Sequence, residues 1–264
     1  MILQRRIALN GIWLDEIDNR ITISAIDPGD GRENITAVDA ASGFGQRITG
    51  QRRSTLDLVV RFRIWEHGKT EAGMIERATL LEKVNAWAKD GGILTLNYKP
   101  GRRLNVVLAQ APGEGSLWDY TKEFQLTFRA YSVPYWEDEL ANSVMIGGNL
   151  AADSGSCLIE GSAETQCDVV LENTSGATIK GCTVAVGGQE MAFSGLTIPA
   201  NGALVIDHVD GLVRIRLKDG DSYTSAMALR DGANDFLVKP GTRPISYSAQ
   251  RACRLAVNWR NRYL

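Results

Sequence analysis

Apolar and polar residues alternate between positions 55 and 65. Leu56, Leu58, Val60, Phe62 and Ile64 fall on one side, and Asp57, Val59, Arg61 and Arg63 on the other. Period two over this length predicts a strand with one face on a core and the other toward water or a partner. A second such strand is predicted over 120–130, where Phe124, Leu126, Phe128 and Ala130 alternate with Glu123, Gln125, Thr127 and Arg129. Shorter strands are expected at 20–25, 93–98 and 103–109, the last two joined by the turn Lys99-Pro100-Gly101.

Between these strands the period changes. Over 71–89, Met74, Ala78, Leu81, Asn85 and Ala88 recur at helical spacing, with Ile75, Val84 and Trp87 widening the stripe. Asp90-Gly91-Gly92 supplies a helix stop, since glycine takes positive φ at no steric cost. One helix lying on the apolar face of several strands predicts an α+β domain.

From residue 139 onward the pattern contains strands and turns only. Strands are expected at 157–161, 166–173, 178–186, 189–193, 203–207, 212–218, 235–238, 244–248 and 253–259. They are separated by turns such as Thr174-Ser175-Gly176, Gly187-Gly188, Asp219-Gly220-Asp221 and Lys239-Pro240-Gly241. Evenly spaced short strands with such punctuation predict a β-sandwich. The expected organisation is therefore an N-terminal α+β domain over 1–138 and a C-terminal β-sandwich over 139–264. The acidic run Glu137-Asp138-Glu139 is read as a solvated linker, and Gly147-Gly148 as the restart after it.

Composition narrows the function. The 264 residues carry 29 basic and 31 acidic side chains, a balance that argues against a protein held to nucleic acid by phosphate neutralisation. The segment MILQRRIALNGIW interrupts its apolar residues with two arginines and does not read as a cleaved signal. No stretch approaches the roughly 20 apolar residues of a membrane helix. Cys157, Cys167, Cys182 and Cys253 lack metal-ligand spacing and are expected as reduced, buried thiols.

Motifs for catalysis do not emerge. There is no nucleophile elbow, P-loop or zinc-protease helix, and Gly43-Phe44-Gly45 with Gly50 fails the dinucleotide spacing and reads as a flexible loop. His67 and His208 lie in different halves and are not expected to meet. The acid pairs Asp219/Asp221 and Asp231/Asp235 could in principle flank a glycosidic bond, but each sits beside glycine or in a turn context that explains it without chemistry. No catalytic residue, cofactor or metal site is therefore assigned. For sugar binding without hydrolysis, Trp259 is the candidate stacking platform. Arg52, Arg53, Arg61 and Arg63 cluster on and before one strand without the interleaved aromatics of a single-strand nucleic-acid platform, which points to a solvated or subunit-facing sheet surface.

Taken in order, these elements resemble a known family. Gln51-Arg52-Arg53 leads into the alternating strand, and the helix follows with Arg77, Leu80, Leu81 and Trp87. Gly92-Ile93-Leu94-Thr95-Leu96 and Pro100-Gly101-Arg102 come next, and the half closes on Ala130-Tyr131-Ser132-Val133-Pro134-Tyr135-Trp136. The β-rich second half ends in Lys239-Pro240-Gly241 and a Cys-Arg-Leu-Ala-Val strand with Arg260 and Arg262. This series resembles the distal tail protein (Dit) family of long-tailed bacteriophages. The resemblance implies a structural protein, made in the bacterial host cytoplasm and placed at the distal end of the virion tail. It also implies a hexameric ring of N-terminal domains joining the tail tube protein to a lysin-like hub at the tip. Galectin-like or carbohydrate-module-like C-terminal domains would reach other baseplate parts or a receptor-binding protein. The alternative is a carbohydrate-binding module protein that recognises host cell-surface glycans. Within the ring reading, the loop 43–54 and the polar side of 56–65, with Arg52, Arg53, Arg61 and Arg63, are expected to form the subunit or tube contact.

Overall fold

A computed structural model describes residues 5–29, 31–39, 46–65, 70–113, 123–209 and 211–264. The chain divides into two compact units, Met1–Trp136 and Glu137–Leu264.

The first unit is an antiparallel sheet with one long helix. Its strands are β1 (Ile7–Leu9), β2 (Ile12–Trp13), β3 (Ile21–Asp27), β4 (Arg32–Asp39), β5 (Gln46–Ile64), β6 (Gly92–Leu96), β7 (Arg102–Gln110) and β8 (Phe124–Ala130). A single turn of helix, α1 (Leu14–Ile17), precedes the long helix α2 (Glu71–Ala88). The strand order is β2-β1-β6-β7-β8-β5-β3, with β4 on the first half of β5. The period-two reading holds where it was clearest. Leu56, Leu58, Val60, Phe62 and Ile64 are each at most 2% exposed, and β8 sets Ala130, Phe128, Leu126 and Phe124 directly opposite the first four. Phe62 and Phe124 stack at 5.6 Å between ring centroids. A one-residue slip would turn this entire set outward, so burial fixes the register.

The strand begins earlier than the alternation suggests. Residues 46–54, expected as part of a loop, continue β5 and pair with β4 in a two-stranded ribbon, while 43–45 and His67 lie outside the described residues. Helix α2 runs where expected, but its buried face is Gly73, Arg77, Leu80, Leu81, Val84 and Ala88, and Ile75 is 57% exposed. Leu81, Val84 and Ala88 of the expected stripe are buried, while Gly73, Arg77 and Leu80 take the inward positions in the first half of the helix. The Thr70 hydroxyl caps the helix by accepting from the Gly73 amide at 3.2 Å. At the other end Gly91 (φ +63°) and Gly92 (φ +127°) turn the chain into β6, and Asn10 reads this turn, donating to the Gly91 carbonyl at 3.0 Å and accepting from the Ile93 amide at 2.9 Å.

The second unit contains β10 (Asn142–Ile159), β11 (Thr165–Asn173), β12 (Ile179–Val186), β13 (Gln189–Ile198), β14 (Ala203–Val209), β15 (Leu212–Asp219), β16 (Ser222–Ser225), β17 (Asp231–Gly232), β18 (Leu237–Val238), β19 (Gly241–Trp259) and β20 (Arg262–Tyr263). The short strand β9 (Trp136–Asp138) brings the chain in from the first unit. The expected strands at 244–248 and 253–259 are one, β19, paired with β10 over Gly241–Ser248 and again over Cys253–Trp259. On its other edge β19 pairs with β12 through Ala249 and with β11 from Cys253, so it bends as it passes between two layers. Gly147-Gly148 is correspondingly not a restart after a linker but a bulge in β10 at that bend. The Tyr247 hydroxyl spans the bend, its one proton shared between the carbonyls of Leu150 at 2.9 Å and Cys253 at 2.7 Å, and a Cβ on Gly147 would fall 2.0 Å from it. Inside the bend lies one apolar core that includes all four cysteines, Phe193, Phe236 and Trp259.

The acidic run is not a solvated linker. Glu137 pairs with Arg262 at 3.2 Å, their side chains only 14% and 10% exposed, and Asp138 accepts from the Asn261 side chain at 2.7 Å.

Candidate assembly surface

Because β5 buries its even-numbered residues, its odd-numbered ones stand on the opposite face beside those of β3 and β8. Cross-strand ion pairs knit this face together. Asp57 faces Arg129 in the ladder and takes both its Nε (2.5 Å) and Nη2 (2.8 Å). Arg63 reaches Glu123 at 3.1 Å. Between them Arg61, opposite Gln125 on one side and Ala25 on the other, is exposed and unpaired among the described residues. Exposed Val107 and Tyr131 add apolar area to the same region, Val107 lying opposite Arg129.

The four arginines singled out in the sequence therefore differ in kind. Arg52 lies in the ribbon opposite Asn34. Arg53 has an internal role, its guanidinium 5.5 Å from the Tyr135 ring centroid and against the backbone of Gly31, where a Cβ would fall 1.7 Å from Nε. Arg63 is neutralised by its neighbour, and Arg61 is the open cation among the described side chains.

In the second unit the sequence candidates for sugar chemistry are placed apart from one another. Trp259 is 7% exposed and its indole N–H donates to Asn261 at 3.1 Å, so its ring belongs to the core and offers no open face for a pyranose. One edge of it lines a shallow cleft of about 320 Å³ with Asn142, Ser156 and Glu160. Asp219 and Asp221 are exposed on either side of Gly220, in the β15–β16 turn.

A polar cluster that no spacing along the chain assembles, although His208 and Asp235 are each candidates singly, lies at the end of β14. His208, its side chain 8% exposed, presents Nδ1 to Asp168 at 2.7 Å and Nε2 to Asp235 at 2.6 Å. Burial alone would lower its pKa, but the two carboxylates outweigh that effect and hold the imidazolium with a pKa pushed up to about 9. Asp235 moves the other way, below the ordinary carboxylate value. Burial opposes that shift, but hydrogen bonds from His208 and Gln166 prevail. These groups are 40 and 27 positions apart, so only the strand order joins them. Among the described residues no cluster of His, Cys, Asp and Glu could hold a metal.

No protein-family model and no curated protein matches the sequence. Solved structures do match the fold. The Dit protein of phage SPP1, described as a paradigm of the hub adsorption apparatus in phages that infect Gram-positive bacteria, superposes with a TM-score of 0.67 at 13% identity. The match covers 98% of this chain and 99% of that one. Two structures of the phage P2 baseplate in its activated conformation, one with calcium and one with strontium, align at TM-scores of 0.43 and 0.42 and 9% identity. They cover 99% and 98% of this chain and 98% and 97% of theirs, and are too distant to carry an argument. Mainly β, with one long helix among the described residues, the chain has from end to end the fold of the phage distal tail protein Dit.

Proposed function

We propose that the protein is a structural component of a phage tail tip, a hub that joins the tail tube to the host-adhesion apparatus and works by contact rather than catalysis. The observation that carries this is the whole-chain match to SPP1 Dit: both units align, so the likeness extends beyond one generic β domain. In this reading the first unit closes a homohexameric ring at the distal end of the virion tail. The tube protein binds one side and a lysin-like hub protein the other, while the second unit holds baseplate parts or a receptor-binding protein. The sheet face around Arg61, together with the β4–β5 ribbon, supplies the ring or tube contact. A two-stranded ribbon is marginal alone and gains stability from a partner, which is why it suits an interface. A ring also uses one heterologous surface repeated around a closed axis and requires no ligand.

Light scattering on the purified full-length chain tests the reading. A mass six times the chain's 28.8 kDa, with ring-shaped particles in negative stain, is the expected result. A protein that stays monomeric both alone and when mixed with the tube and hub proteins encoded beside it would overturn it.

A further inference from the structure

We propose that a polar chain in the second unit, Asp168–His208–Asp235–Gln166–Arg262–Glu137, is a charge-operated latch that fastens the unit's first residues to its C-terminal strand. Both ring nitrogens of His208 face carboxylate oxygens, at 2.7 and 2.6 Å, so both must donate and the imidazolium is the form that fits. The other oxygen of Asp235 accepts from Gln166 Nε2 at 3.0 Å, and Gln166 Oε1 accepts from Arg262 Nη2 at 3.0 Å. The amide is thus oriented from both ends, its NH2 on a carboxylate and its oxygen on a guanidinium. Arg262 Nε in turn reaches Glu137 at 3.2 Å. Next to it the Asp138 amide donates to the Asn261 carbonyl at 3.1 Å, and Arg260 donates to the Asp138 carbonyl at 2.8 Å.

The chain of groups alternates in sign, and its two cations serve three carboxylates. With His208 protonated, Asp168 and Asp235 share the imidazolium and Arg262 is left to Glu137. When the proton leaves, the ring keeps one N–H for two acceptors, and a bare nitrogen lone pair faces a carboxylate. Asp235 is then an under-compensated, half-buried charge, and the cation joined to it through the Gln166 amide is Arg262. Recruiting it through Gln166 withdraws it from Glu137. Of the other charged or titratable groups beside the cluster, Arg230 donates to the Asn234 carbonyl at 3.3 Å and not to the Asp235 carboxylate. Asp207, adjacent on β14, is held by Arg214 at 2.5 Å and Arg216 at 2.7 Å from β15, and the Cys167 thiol on β11 is kept protonated by burial.

Hydrogen exchange on the full-length protein, expressed as protection relative to intrinsic rates at each pH, tests the latch. Across the His208 titration, from about pH 7 to about pH 9.5, the Asp138 amide is expected to lose about tenfold protection. His208→Gln should show the low value already at neutral pH, with no further step. Glu137→Gln should release Asp138 while leaving the ring titration of His208 in place. An Asp138 amide equally protected throughout, while only Leu237 and Val238 loosen, would overturn the proposal. If His208→Gln does not fold, the wild-type pH series alone decides.

Discussion

The guanidinium of Arg53 lies over the ring of Tyr135, 5.5 Å from its centroid, with the backbone of Gly31 against it. The arrangement ties the start of β4 to the segment after β8 through one side chain from the middle of β5. Its Nε and Nη1 are buried without hydrogen-bond partners among the described residues, which leaves the ring and the glycine as its described contacts. Gly31 does not adopt a positive φ, and the need for glycine there is space alone. Gly31→Ala should therefore force the guanidinium off the ring and cost about 1 kcal/mol, the scale of a cation–π contact at a part-exposed site. Calorimetry should place the loss in the transition of the first unit, and Arg53→Lys should lose a similar amount. Arg53→Glu is a poor probe of assembly for the same reason, because it damages the fold first.

Arg61 separates folding from assembly. It is exposed and makes no ion pair among the described residues, so Arg61→Glu should leave thermal unfolding within about 0.5 kcal/mol of wild type. If the β5 face is the ring or tube contact, the same variant shifts the scattering mass toward the monomer. An intact ring would move the contact off this face. Arg63→Glu is the useful comparison, since it also faces Glu123 with like charge and should lower stability slightly.

Where residues announce themselves by local pattern, the sequence was legible. The β5 alternation, the span of α2 and the Gly91-Gly92 stop follow from nearest-neighbour chemistry, and each stands where the pattern places it. What escaped depends on pairing at long range. Nothing local distinguishes the Gly147-Gly148 bulge from a turn until Tyr247 is seen to occupy the space a Cβ would need. Arg77 carries no local signal of its burial, because that depends on what packs around the helix. The His208 clamp needs β11 and β14 to be neighbours, and no spacing rule reports that.

The cysteines supply a simple check on the core of the second unit. All four are free and buried, and burial pushes the thiol pKa of Cys253 up to about 11 and that of Cys182 to about 12. A thiolate is the reactive form, so these side chains should be inert while the unit is folded. Ellman's reagent at pH 8 should detect essentially none in the native protein and all four in guanidinium. Rapid labelling of Cys157 or Cys253 without denaturant would mean that the β10–β19 bend opens on its own.

Linkage at His208 gives the second unit a distinctive pH profile. Its folded pKa of about 9 stands above the ordinary 6.5, so the charged form is favoured by folding. The stabilisation is complete below about pH 6.5 and drains away as the pH rises through 9, because the folded state must then give up a proton it holds more tightly than the unfolded chain does. At full value the shift corresponds to about 3 kcal/mol, a large share of a domain's net stability. Asp235 sets the opposite limb: its pKa lies below 3.8, so its contribution is present at neutral pH and is lost as acid protonates it. The two together predict a plateau between about pH 5 and pH 6.5, a gradual decline toward pH 9 and beyond, and a separate acid loss. Calorimetric transitions of the full-length chain at pH 6, 8 and 10 should show the second unit falling in temperature while the first moves less. In His208→Gln the alkaline decline should disappear from a transition already lowered at pH 6. A second unit equally stable at pH 6 and pH 10 would mean that the imidazole between Asp168 and Asp235 is neutral, with one of the two carboxylates carrying the proton instead.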